Sequence, residues 1–216
     1  MSEVVAATYS PAEERLSAAI HGIGTLAAIA GLLIMGLKGF SVLSPLQWAG
    51  VLVYGLSLIL VFLSSTLYHS IVHPPTRARL KRLDHSAIYL LIAGSYTPLL
   101  LITLQDRKAT LLLIAIWLLA FAGILFKFFF IHRFKRFSLF AYLGMGWLAL
   151  LVIVPLFLAL PIIAFQLLVI SGLSYTVGAL FYAAKHLEFT HAIWHLFVLI
   201  GATCHCLMVI LYVIPS

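Results

Sequence analysis

Seven long apolar runs, each parted from the next by a few charged, proline or glycine positions, set the pattern of this chain. They fall at 17–37, 46–70, 84–104, 109–131, 137–157, 161–182 and 191–213, each near the ~20 residues that a helix needs to cross a hydrocarbon core. Lys38-Gly39 and Pro45, His73-Pro74-Pro75 through Arg82, Asp106-Arg107-Lys108, His132 through Arg136, the span-ending Pro155 and Pro161, and Lys185 to Glu188 mark the breaks. The pattern predicts an all-α polytopic membrane protein, a seven-transmembrane-helix bundle. Residues 1–16 read as a short N-terminal segment and 17–216 as one transmembrane domain. No fixed-period repeat or low-complexity tract divides it.

Composition agrees: 64% of the 216 residues are hydrophobic and 9% charged, with a mean hydropathy of +1.17, which excludes a soluble globular domain. The formal charge of +7 does not indicate nucleic acid, because the basic residues sit in short loops between apolar runs and so orient the bundle. One side receives Arg15, Arg77, Arg79, Lys81, Arg82, Lys127, Arg133, Lys135, Arg136 and Lys185; the other has Lys38, Arg107 and Lys108. That asymmetry puts the N-terminus in the cytoplasm and the C-terminus outside. Glu3, Glu13 and Glu14 stand where a signal peptide carries basic residues, so the first run reads as a retained helix. Cys204 and Cys206, two apart in the last span, point away from each other and read as small buried hydrophobes.

Ionisable groups inside a membrane are costly and mark functional sites. His69 ends the second span and Asp84 opens the third; His191 and His195 open the seventh, and Glu14, Ser17 and His21 open the first. The topology brings all of them to one layer. His191 and His195, four apart, share a helix face and can grip one metal ion, although the same spacing also arises in helix packing. A third histidine completes three nitrogen ligands, the set of catalytic zinc sites, which keep a fourth position for water. Zinc lowers the pKa of that water to ~7, and Asp84 is placed to accept its proton or hold it. His73, His132 and His186 read as hydrogen-bonded loop residues. His85, next to Asp84, points elsewhere, and His205, fourteen residues past His191 or ~21 Å along the axis, bonds a neighbouring helix.

Three ordered motifs carry a resemblance to the hemolysin III family, the bacterial branch of the progestin and adiponectin Q receptors. The first is Glu14, Ser17 and His21, continuing as Gly22-Ile23-Gly24, with Ser17 where the family has Asn. The second is Ser65-Thr66-Leu67-Tyr68-His69 with Asp84, within Leu83-Asp84-His85-Ser86-Ala87-Ile88-Tyr89. The third is His191-Ala192-Ile193-Trp194-His195. The resemblance implies a seven-helix bundle in the bacterial inner membrane with Zn2+ near its cytoplasmic end. His69, His191 and His195 would be the ligands, Asp84 would stand at the metal's water, and Ser65 would line the site. Glu14, Ser17 and His21 would support the ligands or gate them. The family is grouped with alkaline ceramidases, which implies hydrolysis of an amide or ester bond in a membrane lipid with a fatty-acyl part, in the service of membrane fluidity and energetics.

The alternative is a non-enzymatic membrane-state sensor or receptor with structural zinc. A cytolytic pore, which the family's name suggests, needs polar residues through the whole bilayer. The outer half here offers only scattered Thr and Ser, Gln166 and His205. An ion transporter is disfavoured too, since Asp84 is the one acid placed inside a span and no inverted repeat is visible.

Overall fold

A computed structural model of the chain describes residues 9–130, 135–184 and 187–215, the side chains of 135 and 136 excepted. Glu3, His132, Arg133, Lys185 and His186 therefore lie outside the described residues or side chains. All regular structure among the described residues is helical, and seven crossings are long and apolar enough to span a membrane. They are α1 (Pro11–Phe40), α2 (Pro45–Ser70), α3 (Pro74–Pro98), α4 (Arg107–Phe130), a fifth crossing split into α5 (Lys135–Trp147) and α6 (Ile153–Ala159), α7 (Ile162–Ala183) and α8 (Thr190–Met208). In hydrocarbon every backbone polar group must be satisfied internally, which helices do within each segment.

The helices begin at local signals and outrun the apolar stretches. Ser10 caps α1 by accepting from the Glu13 amide at 3.2 Å, with Pro11 next to it. This places Glu13 and Glu14 inside the first turn. Ser44 and Gln47 form a reciprocal capping box before α2. His73 and the Pro74-Pro75 pair open α3 ten residues before its apolar run begins. Pro155, expected to end a span, instead lies in the first turn of α6, where a missing amide is tolerated; the strain is absorbed by a 3-10 turn over Leu148–Val152, and the crossing runs on to Ala159. After Pro98 and again after Met208 the helix widens into π turns, Leu99–Leu104 and Val209–Val213. Neighbouring helices take up carbonyls there: Gln47 Nε2 donates to Leu101 O at 3.1 Å and Lys38 Nζ to Ile210 O at 2.7 Å.

α2 and α3 are the most enclosed crossings, while α4 and the split fifth crossing lie at the periphery. α1 packs on α2 and α8, α3 on α2 and α4, and α7 on α8. Leu26, Leu33 and Leu37 of α1, with Leu118, Phe121 and Leu125 of α4, are left exposed, as lipid-facing side chains are. The α2–α3 contact is close at Gly94, where an added Cβ would meet Ser57 Oγ and stand 3.4 Å from the Tyr54 backbone. Small residues permit such approach between membrane helices. Gly94→Ala is expected to cost about 1–3 kcal/mol, read as a lower melting temperature in detergent. Gly144→Ala, inside α5 with nothing within 4 Å, should leave it equal or slightly raised.

Candidate metal centre

Three buried histidines meet at the end of the bundle where α1 begins. His191 and His195 stand on the first two turns of α8 with their Nε2 atoms 3.0 Å apart. His69, in the last turn of α2, brings its Nε2 to 3.2 Å from that of His191 and 3.1 Å from that of His195. Such spacing suits one ion at the usual metal–imidazole distance of ~2.0–2.1 Å. It is poor for three neutral rings alone, whose lone pairs would oppose one another. Among the described residues this is the one set of three or more His, Cys, Asp or Glu whose ligand atoms converge in this way.

The outer nitrogens of His69 and His195 are held as well. His69 Nδ1 donates to Glu14 Oε2 at 2.6 Å, which fixes the tautomer with a lone pair on Nε2 and raises its basicity. His195 Nδ1 lies 2.8 Å from His21 Nε2. The other Glu14 oxygen accepts from Arg77 at the start of α3, whose guanidinium lies 5.1 Å from the centre of the Tyr68 ring. Carboxylate partners of metal-binding histidines are worth 10–100-fold in affinity. Glu14→Gln is therefore expected to weaken metal binding by about that factor in a chelator-competition titration, with the fold intact by circular dichroism.

His191 is positioned from α1. Phe189, before α8, is left-handed with φ 58° and no side chain caps the helix locally. Glu13 Oε1 supplies the cap across the bundle, accepting from the His191 amide at 3.0 Å. Tyr9 stacks on the His191 ring, centroids 4.2 Å apart and planes 16° apart. Burial above all, then Tyr182, Tyr68 and the Glu13 and Glu14 carboxylates, hold the Tyr9 phenol above its ordinary range and so uncharged. The neighbours Glu13 and Glu14 thus tie α1 to α8 and to α2 respectively.

Asp84 is buried and lines a cavity of about 40 Å³ together with His21, His191, His195, Tyr142 and Tyr182, room for a few water molecules. His85 lines it too, with its Nδ1 3.4 Å from Asp84 Oδ2. The expectation that His85 points elsewhere is corrected: a long side chain can swing back across the 100° that separates adjacent helix positions. Ser65 lies one turn before His69, buried, its Oγ without a hydrogen-bond partner, and it does not border the cavity. Ser17 is equally buried, facing inward from α1 between Glu14 and His21. His73 lies at the start of α3, 2.9 Å from Thr76 Oγ1, and His205 bonds Ser95 O of α3 at 3.1 Å. Cys204 and Cys206 are unpaired thiols.

A larger cavity of about 310 Å³ adjoins the small one, with Leu139, Tyr142 and Trp194 bordering both. Its walls come from α3, the fifth crossing, α7 and α8 and are mostly apolar: Leu91, Leu99, Leu100, Leu156, Phe165 and Leu168 among them.

Fold and site together define a multi-pass integral membrane protein with a buried trihistidine cluster able to hold one metal ion. A family model described as "Haemolysin-III related" matches residues 9–206. The chain is 46% identical over 204 residues to "Hemolysin-3" of Bacillus cereus, covering 94% of this chain and 93% of that protein. It is 44% identical over 200 residues to "Hemolysin-3 homolog" of Bacillus subtilis, covering 93% and 94%. The human "Monocyte to macrophage differentiation factor" is 32% identical over 159 residues, 71% of this chain and 66% of its own length. The chain belongs to the haemolysin III family.

Proposed function

We propose that this protein is a zinc-dependent hydrolase of an amide or ester bond in a membrane lipid, contributing to membrane homeostasis. The observation that carries the reading is the junction of two spaces: a small cavity into which Asp84, His191 and His195 all face, two of these being members of the trihistidine cluster, adjoining a larger apolar one. His69, His191 and His195 hold the ion, and an all-imidazole donor set suits zinc, as it does copper, iron and nickel. Bound there, zinc supplies Lewis-acid polarisation of the carbonyl and acidification of water. Asp84 takes the proton from the attacking water and returns it to the leaving group. Glu14 and His21 keep two of the rings in register. The apolar walls seat the acyl chain, so that the bond to be cut lies at the polar end. The count of Lys and Arg favours a cytoplasmic position for that end.

The test is acyl release by the detergent-purified protein from a ceramide and a phosphatidylcholine carrying the same labelled acyl chain. Release that disappears on chelation and returns with zinc is expected. A rate no greater than that of chelated protein for both lipids would overturn the hydrolase reading and leave the metal as a tie between α2 and α8, the part of a sensor.

A further inference from the structure

The proposed reaction uses only the end of the large cavity beside the histidines, yet the far end carries polar groups. His205 lies ten residues beyond His195 on α8, ~15 Å along the axis, is buried, and borders this cavity. Its Nε2 is 3.1 Å from Ser95 O. A carbonyl oxygen only accepts, so Nε2 carries the hydrogen and Nδ1 of the neutral ring is the acceptor. Tyr54 packs across the ring at 5.3 Å and 65°, which fixes its plane. Ser95, Ser171 and Tyr175 border the same cavity. Ser171 and Tyr175 pack against Gly201, one turn before His205: a Cβ there would lie 3.2 Å from Ser171 O and 3.1 Å from the Tyr175 ring. The Ser95 hydroxyl donates to Ile92 O at 2.8 Å, whereas a cavity that served only saturated chains would gain nothing from a free imidazole acceptor so deep in the membrane, where polar groups are costly.

We propose that this end of the cavity selects acyl chains bearing a hydroxyl roughly a dozen carbons from the carbonyl, with that hydroxyl donating to Nδ1 of His205. The distance follows from ~15 Å of helix axis and an advance of ~1.25 Å per carbon for bonds of ~1.5 Å. The inference rests on the lipid reading above for the placement of the carbonyl at the histidine end. His205 is then a specificity residue, remote from the reacting atoms.

Equilibrium binding of tritiated stearic, 2-hydroxystearic and 12-hydroxystearic acids to the detergent-purified full chain tests it. The 12-hydroxy acid is expected to bind about five- to tenfold more tightly than the other two, the worth of one buried hydrogen bond. His205→Phe should abolish that preference while leaving stearic acid within about twofold. Because His205 also ties α8 to α3, the wild-type series decides the matter by itself should the variant fail to fold. Three equal affinities in the wild type would overturn this inference and leave the acyl cavity standing. A preference that persists in folded His205→Phe would also overturn it. Binding of none of the acids would overturn the lipid reading together with it.

Discussion

Alanine at both His191 and His195 is expected to leave the purified protein without its metal, where the wild type carries about one ion per chain by elemental analysis. Their Nε2 atoms supply two of the three converging nitrogens, and His69 alone is an ordinary exchangeable ligand. Structural zinc sites with four ligands bind with ~10–16 kcal/mol, so each ligand stands for ~3–4 kcal/mol. Losing two corresponds to a drop in affinity on the order of 10⁴-fold or more. The helix itself should survive, since alanine is the best helix former and the Glu13 contact is to the backbone of position 191. Because an ion on these ligands would join α2 to α8, the variant should also melt lower than metal-loaded wild type and at the same temperature as the chelated protein. His205→Ala, ~15 Å from His195, is the control that should retain the metal. Equal metal in the double variant and the wild type would remove the trihistidine cluster as the site.

How far the sequence alone makes each feature legible depends on whether the constraint is local. The crossings were legible because a bilayer fixes both the length and the polarity of each segment, and the apolar runs map one to one onto the spans. Their ends were not, because a helix ends where its caps are. Ser10 carries α1 through Glu13 and Glu14, and the Pro74-Pro75 pair starts α3 well before hydropathy turns. Pro155 reads as a terminator because the sequence does not reveal that a 3-10 turn makes room for it. At the site, His191 and His195 announced themselves by spacing, and His69 and Asp84 by depth. Glu13, Tyr9 and Arg77 did not. Glu13 reaches 178 residues along the chain to the His191 amide and Glu14 reaches 63 to Arg77, and no local pattern records such pairings. Arg77 registered only as a topological charge, though it also neutralises the carboxylate that orients His69. The signal available was the doubled acid Glu13-Glu14 in the first turn of an apolar helix, one carboxylate more than a dipole-complementing cap needs.

Asp84→Asn is expected to keep the metal and lose the reaction. Asparagine has the same shape and stays within the cavity that Asp84 shares with His191 and His195, so packing and the histidine triangle should be undisturbed. It can still orient water by a hydrogen bond, but it cannot accept a proton at neutral pH. General-base catalysis contributes ~10²–10⁴-fold, and lipid turnover should fall by that factor with zinc content and melting temperature close to wild type. This separates the residue from the ligands, whose loss lowers metal and rate together. Neighbouring His85 has its Nδ1 3.4 Å from the carboxylate, but that nitrogen donates to Lys81 O at 2.9 Å, so His85→Gln should cost far less. A rate unchanged in Asp84→Asn would assign the proton transfer to another group on that cavity and reduce Asp84 to a buried structural partner of His85. A metal content that falls with the rate would instead make the carboxylate part of the ion's own support.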